Sequence, residues 1–100
     1  MEEKKRILVV DDDKAIREYL SCILEMEGYS TDAVGTGREA LKKSKQHRYA
    51  LALINYRFSD MTSEQLRDRL HARTPELKIV VLGVIPIDPK RLIEIVEENL

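Results

Sequence analysis

The stretch that decides the fold lies near the start of the chain, where residues 7–28 read ILVVDDDKAIREYLSCILEMEG. Its first four residues are all apolar, a pattern typical of a strand that is buried on both faces. Beyond the acidic run, apolar residues recur at the spacing of one helix face: Ile16, Tyr19, Leu20, Ile23 and Leu24. Asp13 is placed to cap this helix, and Gly28 to end it in a left-handed conformation. The stretch therefore predicts a strand, an acidic turn and a helix.

The same strand–helix unit recurs along the rest of the chain. Apolar runs predict a half-buried edge strand over residues 29–34 and buried strands over residues 50–54 and 79–82. Each run is followed by a residue that typically caps a helix: Thr36, Thr62 and Asp88. Strands and helices that alternate in this way predict an α/β fold, in which a parallel sheet carries helices on both faces.

Candidate functional residues lie beyond the carboxyl ends of the predicted strands, where sheets of this kind hold their ligands. The residues at those ends are Asp11, Asp12, Asp13, Gly35, Asn55 and Gly83. Two simpler interpretations remain open at this point. The acids can act as helix caps and dipole partners, each contributing about 0.3–1 kcal/mol. Asn55 can be an ordinary hydrogen-bonded residue at a strand end.

Composition limits the classes of protein to which the chain can belong. Its 100 residues are enough for one domain over residues 1–100. Lys and Arg total 17 and Asp and Glu total 18, so the charge gives no reason to expect nucleic acid as the partner. No apolar run approaches the roughly 20 residues of a membrane span, and the start does not resemble a signal peptide. The single cysteine, Cys22, cannot form an internal disulfide. We expect a cytoplasmic protein.

Four parts of the sequence form one pattern: residues 7–17, Gly28 with Tyr29, GREAL at residues 37–41 and PIDP at residues 86–89. In this pattern the chain resembles the receiver domain of the response regulators of two-component signalling. The resemblance implies a flavodoxin-like, three-layer fold and a role in phosphorelay signal transduction. The implied partner is a histidine kinase or another signalling protein. In the family two adjacent acids after the first strand hold Mg²⁺, and here they are Asp11 and Asp12.

Three positions depart from the pattern of that family. The family's phosphoacceptor Asp corresponds to Asn55, its Ser or Thr after the fourth strand to Gly83, and its Lys to Ile85. An amide is a far poorer nucleophile than a carboxylate. Since Mg²⁺ commonly takes one or two carboxylates, weak Mg²⁺ binding is still expected. We predict an atypical receiver that is not phosphorylated at the usual position, is not an enzyme and acts by protein–protein contact.

The chain is also shorter than the family plan. Only Val84 and Ile85 separate the end of the fourth strand from Pro86, whereas a parallel crossover needs about a dozen residues. The fourth helix and fifth strand of the family therefore have no room. We predict four βα units and a sheet of strand order 2-1-3-4.

Loss of an outer strand leaves an apolar edge at the fourth strand, and such edges favour pairing. The predicted interaction edge contains Ile79, Val81, Ile85 and Ile87. Either the last helix folds over this edge or a second molecule pairs with it, which predicts a homodimer or a partner-bound state.

Two alternative functions follow from the same residues. The first is a working phosphoacceptor that uses a displaced carboxylate, either Asp60 or Asn55 after deamidation. The second is a Mg²⁺-dependent phosphatase-like enzyme, because Asp11 and Asp13 weakly resemble the nucleophile motif of haloacid-dehalogenase-like phosphatases. His47 and His71 lack companions at metal-ligand spacing and are predicted to be surface residues.

Overall fold

Strands and helices alternate from one end of the chain to the other. The computed structural model describes residues 4–55, 58–83 and 87–100. In order, the elements are β1 (Arg6–Val10), α1 (Lys14–Met26), β2 (Ser30–Val34), α2 (Gly37–Gln46), β3 (Leu51–Asn55), α3 (Ser63–Arg73), β4 (Lys78–Leu82) and α4 (Pro89–Glu98). The predicted sequence of four βα units is therefore confirmed.

The strands form one parallel sheet in the order β2-β1-β3-β4, as predicted. Val10 at the end of β1 is paired with Val34 of β2 and with Ile54 of β3. On the other side of β3, Asn55 is paired with Leu82 of β4. The carboxyl ends of all four strands consequently meet at one edge of the sheet.

Two apolar layers cover the sheet, and alternate residues of each strand enter one or the other. Leu8 and Val10 of β1 join the layer that contains Leu66 and Leu70 of α3. The other layer consists of residues of β1, β3 and β4 together with side chains of the first and last helices: Ile7, Val9, Leu20, Leu24, Leu51, Leu53, Leu82, Leu92 and Val96. The last helix therefore covers the face of the sheet that α1 also covers.

The helices begin at the residues whose capping role the sequence predicts. Asp13 accepts hydrogen bonds from the backbone N–H groups of Ala15 and Ile16. Thr62 forms a complete capping box with Gln65, in which each side chain bonds the backbone of the other. Gly28 ends the first unit with φ +93°, the left-handed conformation that glycine adopts most readily.

Within the described ranges, β4 is an edge strand that pairs with β3 alone. The approach to α4 is tied to α1, because the Tyr19 hydroxyl donates a 2.8 Å hydrogen bond to the carbonyl oxygen of Ile87. Ile85, a predicted member of the interaction edge, lies outside the described residues. No described helix has the length and apolar character needed to cross a bilayer.

Candidate functional site

Asp11 is the buried carboxylate at the carboxyl end of β1. It is only 1% exposed, and its backbone N–H donates to the carbonyl of Val34 at 3.1 Å. Its Oδ1 accepts from the backbone N–H of Asp13 at 2.9 Å. Its Oδ2 is buried and has no hydrogen-bond partner in the part of the chain that the structure describes. Because leaving a buried carboxylate oxygen unpaired is costly, the geometry favours a cation at this oxygen.

The electrostatic surroundings of Asp11 support the same conclusion. Burial raises the pKa of its carboxyl group, while the hydrogen bond from Asp13 acts against that rise. The negative charges of Asp12 and Asp13 raise the pKa further, and the positive charge of Arg17 opposes them. A divalent cation would offset the burial and the repulsion together. Mg²⁺, which prefers carboxylate and water oxygens, fits Asp11 and the exposed Asp12 beside it.

Asn55 is the neighbour of Asp11 across the sheet. Because Val10 is paired with Ile54, the residues that follow them stand side by side at the carboxyl ends of β1 and β3. Asn55 is half-buried at this position. A side-chain amide offers one oxygen as a possible ligand but carries no negative charge with which to attack phosphorus. The structure thus places two of the predicted site residues, Asp11 and Asn55, next to each other.

Gly83 follows β4 at the same edge of the sheet and is exposed. The residue before it, Leu82, is paired with Asn55. A Cβ atom built on Gly83 would meet no atom of the other described residues within 4 Å. Space for a hydroxyl-bearing side chain is therefore present at position 83. Ile85 lies outside the described residues.

Arg17 is a member of the site that the sequence reasoning missed. Its Nη1 donates a 2.8 Å hydrogen bond to the carbonyl oxygen of Asp11. The same Nη1 would lie 2.9 Å from a Cβ on Gly35, the residue after β2. Arg17 therefore extends along the end of the sheet from β1 to β2, and the small size of Gly35 makes room for it. Its position on α1, shortly after the three acids, is the feature of the sequence that could have indicated this role.

Asp60 caps a helix in the structure. Its two carboxylate oxygens accept 2.9 Å hydrogen bonds from the backbone N–H groups of Gly37 and Arg38, at the start of α2. Burial acts to raise the pKa of Asp60, but these backbone hydrogen bonds outweigh it, so the pKa lies below the usual value. The ionised carboxylate is held where the helix dipole is positive.

The comparisons with known proteins agree with this geometry. The family model described as the response regulator receiver domain matches residues 7–97. The chain belongs to this receiver family. The transcriptional regulatory protein SrrA of Staphylococcus aureus is 30% identical over 79 residues, which cover 77% of this chain and 33% of SrrA. This receiver thus spans about a third of the length of the curated relatives it matches.

Solved receivers share its architecture closely. A CheY-like receiver domain protein of Methanospirillum hungatei is 29% identical, with a TM-score of 0.90 over 97% of this chain and 94% of that one. TrrA of Thermotoga maritima, in complex with Mg²⁺-BeF, is 28% identical, with a TM-score of 0.84 over 96% of this chain and 99% of TrrA. The flavodoxin-like fold predicted for this receiver is confirmed.

The remaining candidate residues of this receiver lie away from the carboxyl edge or have structural contacts. The Nε2 of His71 lies 2.9 Å from the carbonyl oxygen of Leu77, in hydrogen-bond contact. His47 is exposed and makes an edge contact with Tyr49, and Cys22 is exposed on α1. In the described ranges no three His, Cys, Asp or Glu side chains are grouped as a metal site.

Proposed function

We propose that this receiver signals by protein contact and does not accept a phosphoryl group at the usual position. The observation that carries the proposal is Asn55, which occupies the end of β3 beside Asp11. In the receiver family an Asp at this strand end attacks phosphorus and forms an acyl phosphate. The amide of Asn55 carries no negative charge, and its oxygen is a far poorer nucleophile than a carboxylate oxygen.

Two further positions support the proposal. Receivers hold the phosphoryl oxygens with a hydroxyl after the fourth strand and with a Lys ammonium before the last helix. Here those positions carry Gly83 and Ile85. A phosphoryl group at this site would therefore lack two of the contacts that are charge-assisted in a working receiver.

Asp11 and Asp12 would hold Mg²⁺ in this receiver. When bound, the ion supplies a positive charge. In a working receiver this charge stabilises the phosphoryl oxygens. The buried Oδ2 of Asp11 supports the assignment, and the loss of a third carboxylate at position 55 favours weak binding. The partner we propose is a histidine kinase or another signalling protein in the cytoplasm, contacted without a change of covalent state.

The alternative of a displaced phosphoacceptor has less support. Both oxygens of Asp60 already accept hydrogen bonds from the start of α2, and these bonds stabilise the carboxylate and lower its reactivity toward phosphorus. Deamidation of Asn55 would restore a carboxylate but not the contacts missing at positions 83 and 85. The phosphatase-like alternative requires a free Asp13, whereas its Oδ1 accepts from Ala15 and Ile16 as the cap of α1.

Intact-mass measurement after incubation with acetyl phosphate and Mg²⁺ tests the proposal. We expect no gain of a phosphoryl group, together with unchanged capture of the cognate partner in treated and untreated samples. A stable gain of one phosphoryl group would overturn the proposal, and peptide mapping would then separate Asp60 from deamidated Asn55. Turnover of an aryl phosphate would instead favour the enzyme alternative.

A further inference from the structure

The outer edge of β4 is unusually open for an apolar strand. Residues 78–82, the β4 edge, read KIVVL, and β4 pairs only with β3 in the described part of the chain. Ile79, Val80 and Val81 are each half-buried, and the only charge on the strand is Lys78 at its start. Edge strands are normally protected by charges, prolines or bulges along their length. The β4 edge therefore offers unpaired backbone groups and apolar side chains to another strand.

Helix α4 lies beside this edge without filling the space next to it. A groove of about 360 Å³ lies between the two elements, lined by residues 80–83 on one side and by Ile87, Asp88, Arg91 and Ile95 on the other. Leu92 and Val96 point into the core, whereas Arg91 and Glu98 are 54% and 62% exposed. The groove is thus closed on one side by α4 and open on the side where another strand would add.

The charges of α4 indicate which kind of partner would fit beside the β4 edge. Arg91, Ile95 and Glu98 follow one another at helical spacing and form the α4 stripe, which is basic at one end, apolar in the middle and acidic at the other. Arg91 Nη1 lies 3.5 Å from Glu98 Oε1 in the same chain, which places both on one side of the helix. An identical stripe that runs antiparallel would place Arg91 opposite Glu98 and Ile95 near its own copy. A parallel stripe would place like charges together.

We propose that the β4 edge pairs antiparallel with the β4 edge of a second copy of this chain, which makes a continuous eight-stranded sheet. A two-fold axis through the middle of the strand places Val80 opposite the same residue of the other copy and separates the two Lys78 side chains. The two α4 stripes then lie on the same face of the joined sheet, with opposite charges facing each other. Such self-complementarity is the requirement of a two-fold interface. This inference goes beyond the proposed function and does not depend on it.

A charge-exchange experiment on the full chain tests the proposal. We expect the unchanged chain to show a concentration-dependent dimer mass in sedimentation equilibrium. Arg91→Glu and Glu98→Arg should each raise the dimer Kd by about tenfold, because each places like charges opposite one another at two symmetric positions. An equimolar mixture of the two variants should restore dimers, since a heterodimer pairs Glu with Arg at both positions. A pair within one chain cannot produce this rescue.

The strand contact has its own test and control. Val81→Lys should weaken the dimer, while Ala33→Lys on the opposite edge strand β2 should leave it unchanged. Circular dichroism checks that both variants fold, and hydrogen exchange of the unchanged chain should show β4 amide protection that increases with concentration. A monomeric mass throughout, or a dimer indifferent to the charge exchange and to Val81→Lys, would overturn the proposal. Either result would leave the phosphoryl-transfer test unaffected. Binding of a foreign peptide at β4 to a chain that stays monomeric would overturn it as well.

Discussion

At the scale of the residue, the chemistry of this receiver depends on what stands beside Asp11. Asn55 is not the only position that lacks a group used to accept or hold a phosphoryl group. Gly83 also lacks a hydroxyl, although the structure leaves space for one. We therefore expect Asn55→Asp to restore at most slow labelling by acetyl phosphate. Asn55→Asp combined with Gly83→Thr should label faster, since the new hydroxyl can donate to a phosphoryl oxygen.

Intact mass followed over time measures both rates. Gly83→Thr without the change at position 55 is the matched control and should remain unlabelled. Labelling of Asn55→Asp alone at the rate of an ordinary receiver would show that positions 83 and 85 contribute little.

A second prediction at this scale concerns the pH dependence of Asp11. The pKa of its carboxyl group is raised in the folded chain, mainly by burial, so the folded state binds this proton more tightly than the unfolded state. The stability contributed by that proton is present below the unfolded pKa of about 3.9 and is lost as pH rises through the raised pKa. The free energy of unfolding of Asp11→Asn, relative to that of the unchanged chain, should therefore increase as the pH rises from acid to neutral.

Urea unfolding at several pH values measures this difference, and adding Mg²⁺ separates the two roles of Asp11. Mg²⁺ that binds only the folded state should raise the midpoint of the unchanged chain at neutral pH and have no effect on Asp11→Asn. Asp68→Asn on the exposed surface of α3 is the control for loss of a carboxylate. An equal Mg²⁺ response in all three chains would contradict the assigned site.

At the scale of the element, the carboxylate of Asp60 connects the loop before α3 to the start of α2. Removing it by Asp60→Ala should destabilise the fold by about 0.3–1 kcal/mol, because the Gly37 and Arg38 N–H groups lose a charged acceptor at the positive end of the helix dipole. The loss should vanish in acid. The lowered pKa of Asp60 means that its contribution is present above the unfolded pKa and disappears as pH falls through the folded pKa.

Thermal or urea unfolding at neutral pH and in acid checks this prediction, with Asp68→Ala as the matched exposed control. The same variant tests the displaced-acceptor alternative. Asp60→Ala should leave the absence of phosphoryl labelling unchanged, whereas a label found on the unchanged chain and lost in this variant would identify Asp60 as the acceptor.

Helix starts could be predicted from the sequence, because they depend on short-range patterns, whereas the strand order was implied by the resemblance to receiver domains. Asp13 and Thr62 act at the predicted caps, since capping needs only an acceptor side chain two or three residues before the N–H it binds. The contact of Asp60 with Gly37 spans 23 positions, and the hydrogen bond of Arg17 to Asp11 needs the full turn between strand and helix. The face that the last helix covers likewise depends on tertiary contact, which periodicity does not show.

At the scale of the whole molecule, the four-stranded sheet and the altered site are related. A receiver transmits its state from the carboxyl edge of the sheet to a distant surface, and the part of the family plan with no room here lies between β4 and α4. In this chain the α4 side chains Leu92 and Val96 close the core directly against β1 and β3. Under the proposed function, loss of the acceptor and of the responding segment would leave a receiver with one state to present, which is what signalling by constitutive contact requires.

Such a receiver should not respond at a distance to a ligand at its carboxyl edge. We expect Mg²⁺ with beryllofluoride to shift backbone amide NMR signals near Asp11, Asp12 and Asn55 only. Position 55 offers no carboxylate oxygen to coordinate beryllium, and position 83 offers no hydroxyl to donate to a fluoride. The variant that combines Asn55→Asp with Gly83→Thr is the comparison, since it regains both groups without regaining the missing helix and strand. Its signals should shift more strongly at the site and still not along α4. Shifts that extend through β4 and α4 of the unchanged chain would show that this shortened receiver keeps a working switch.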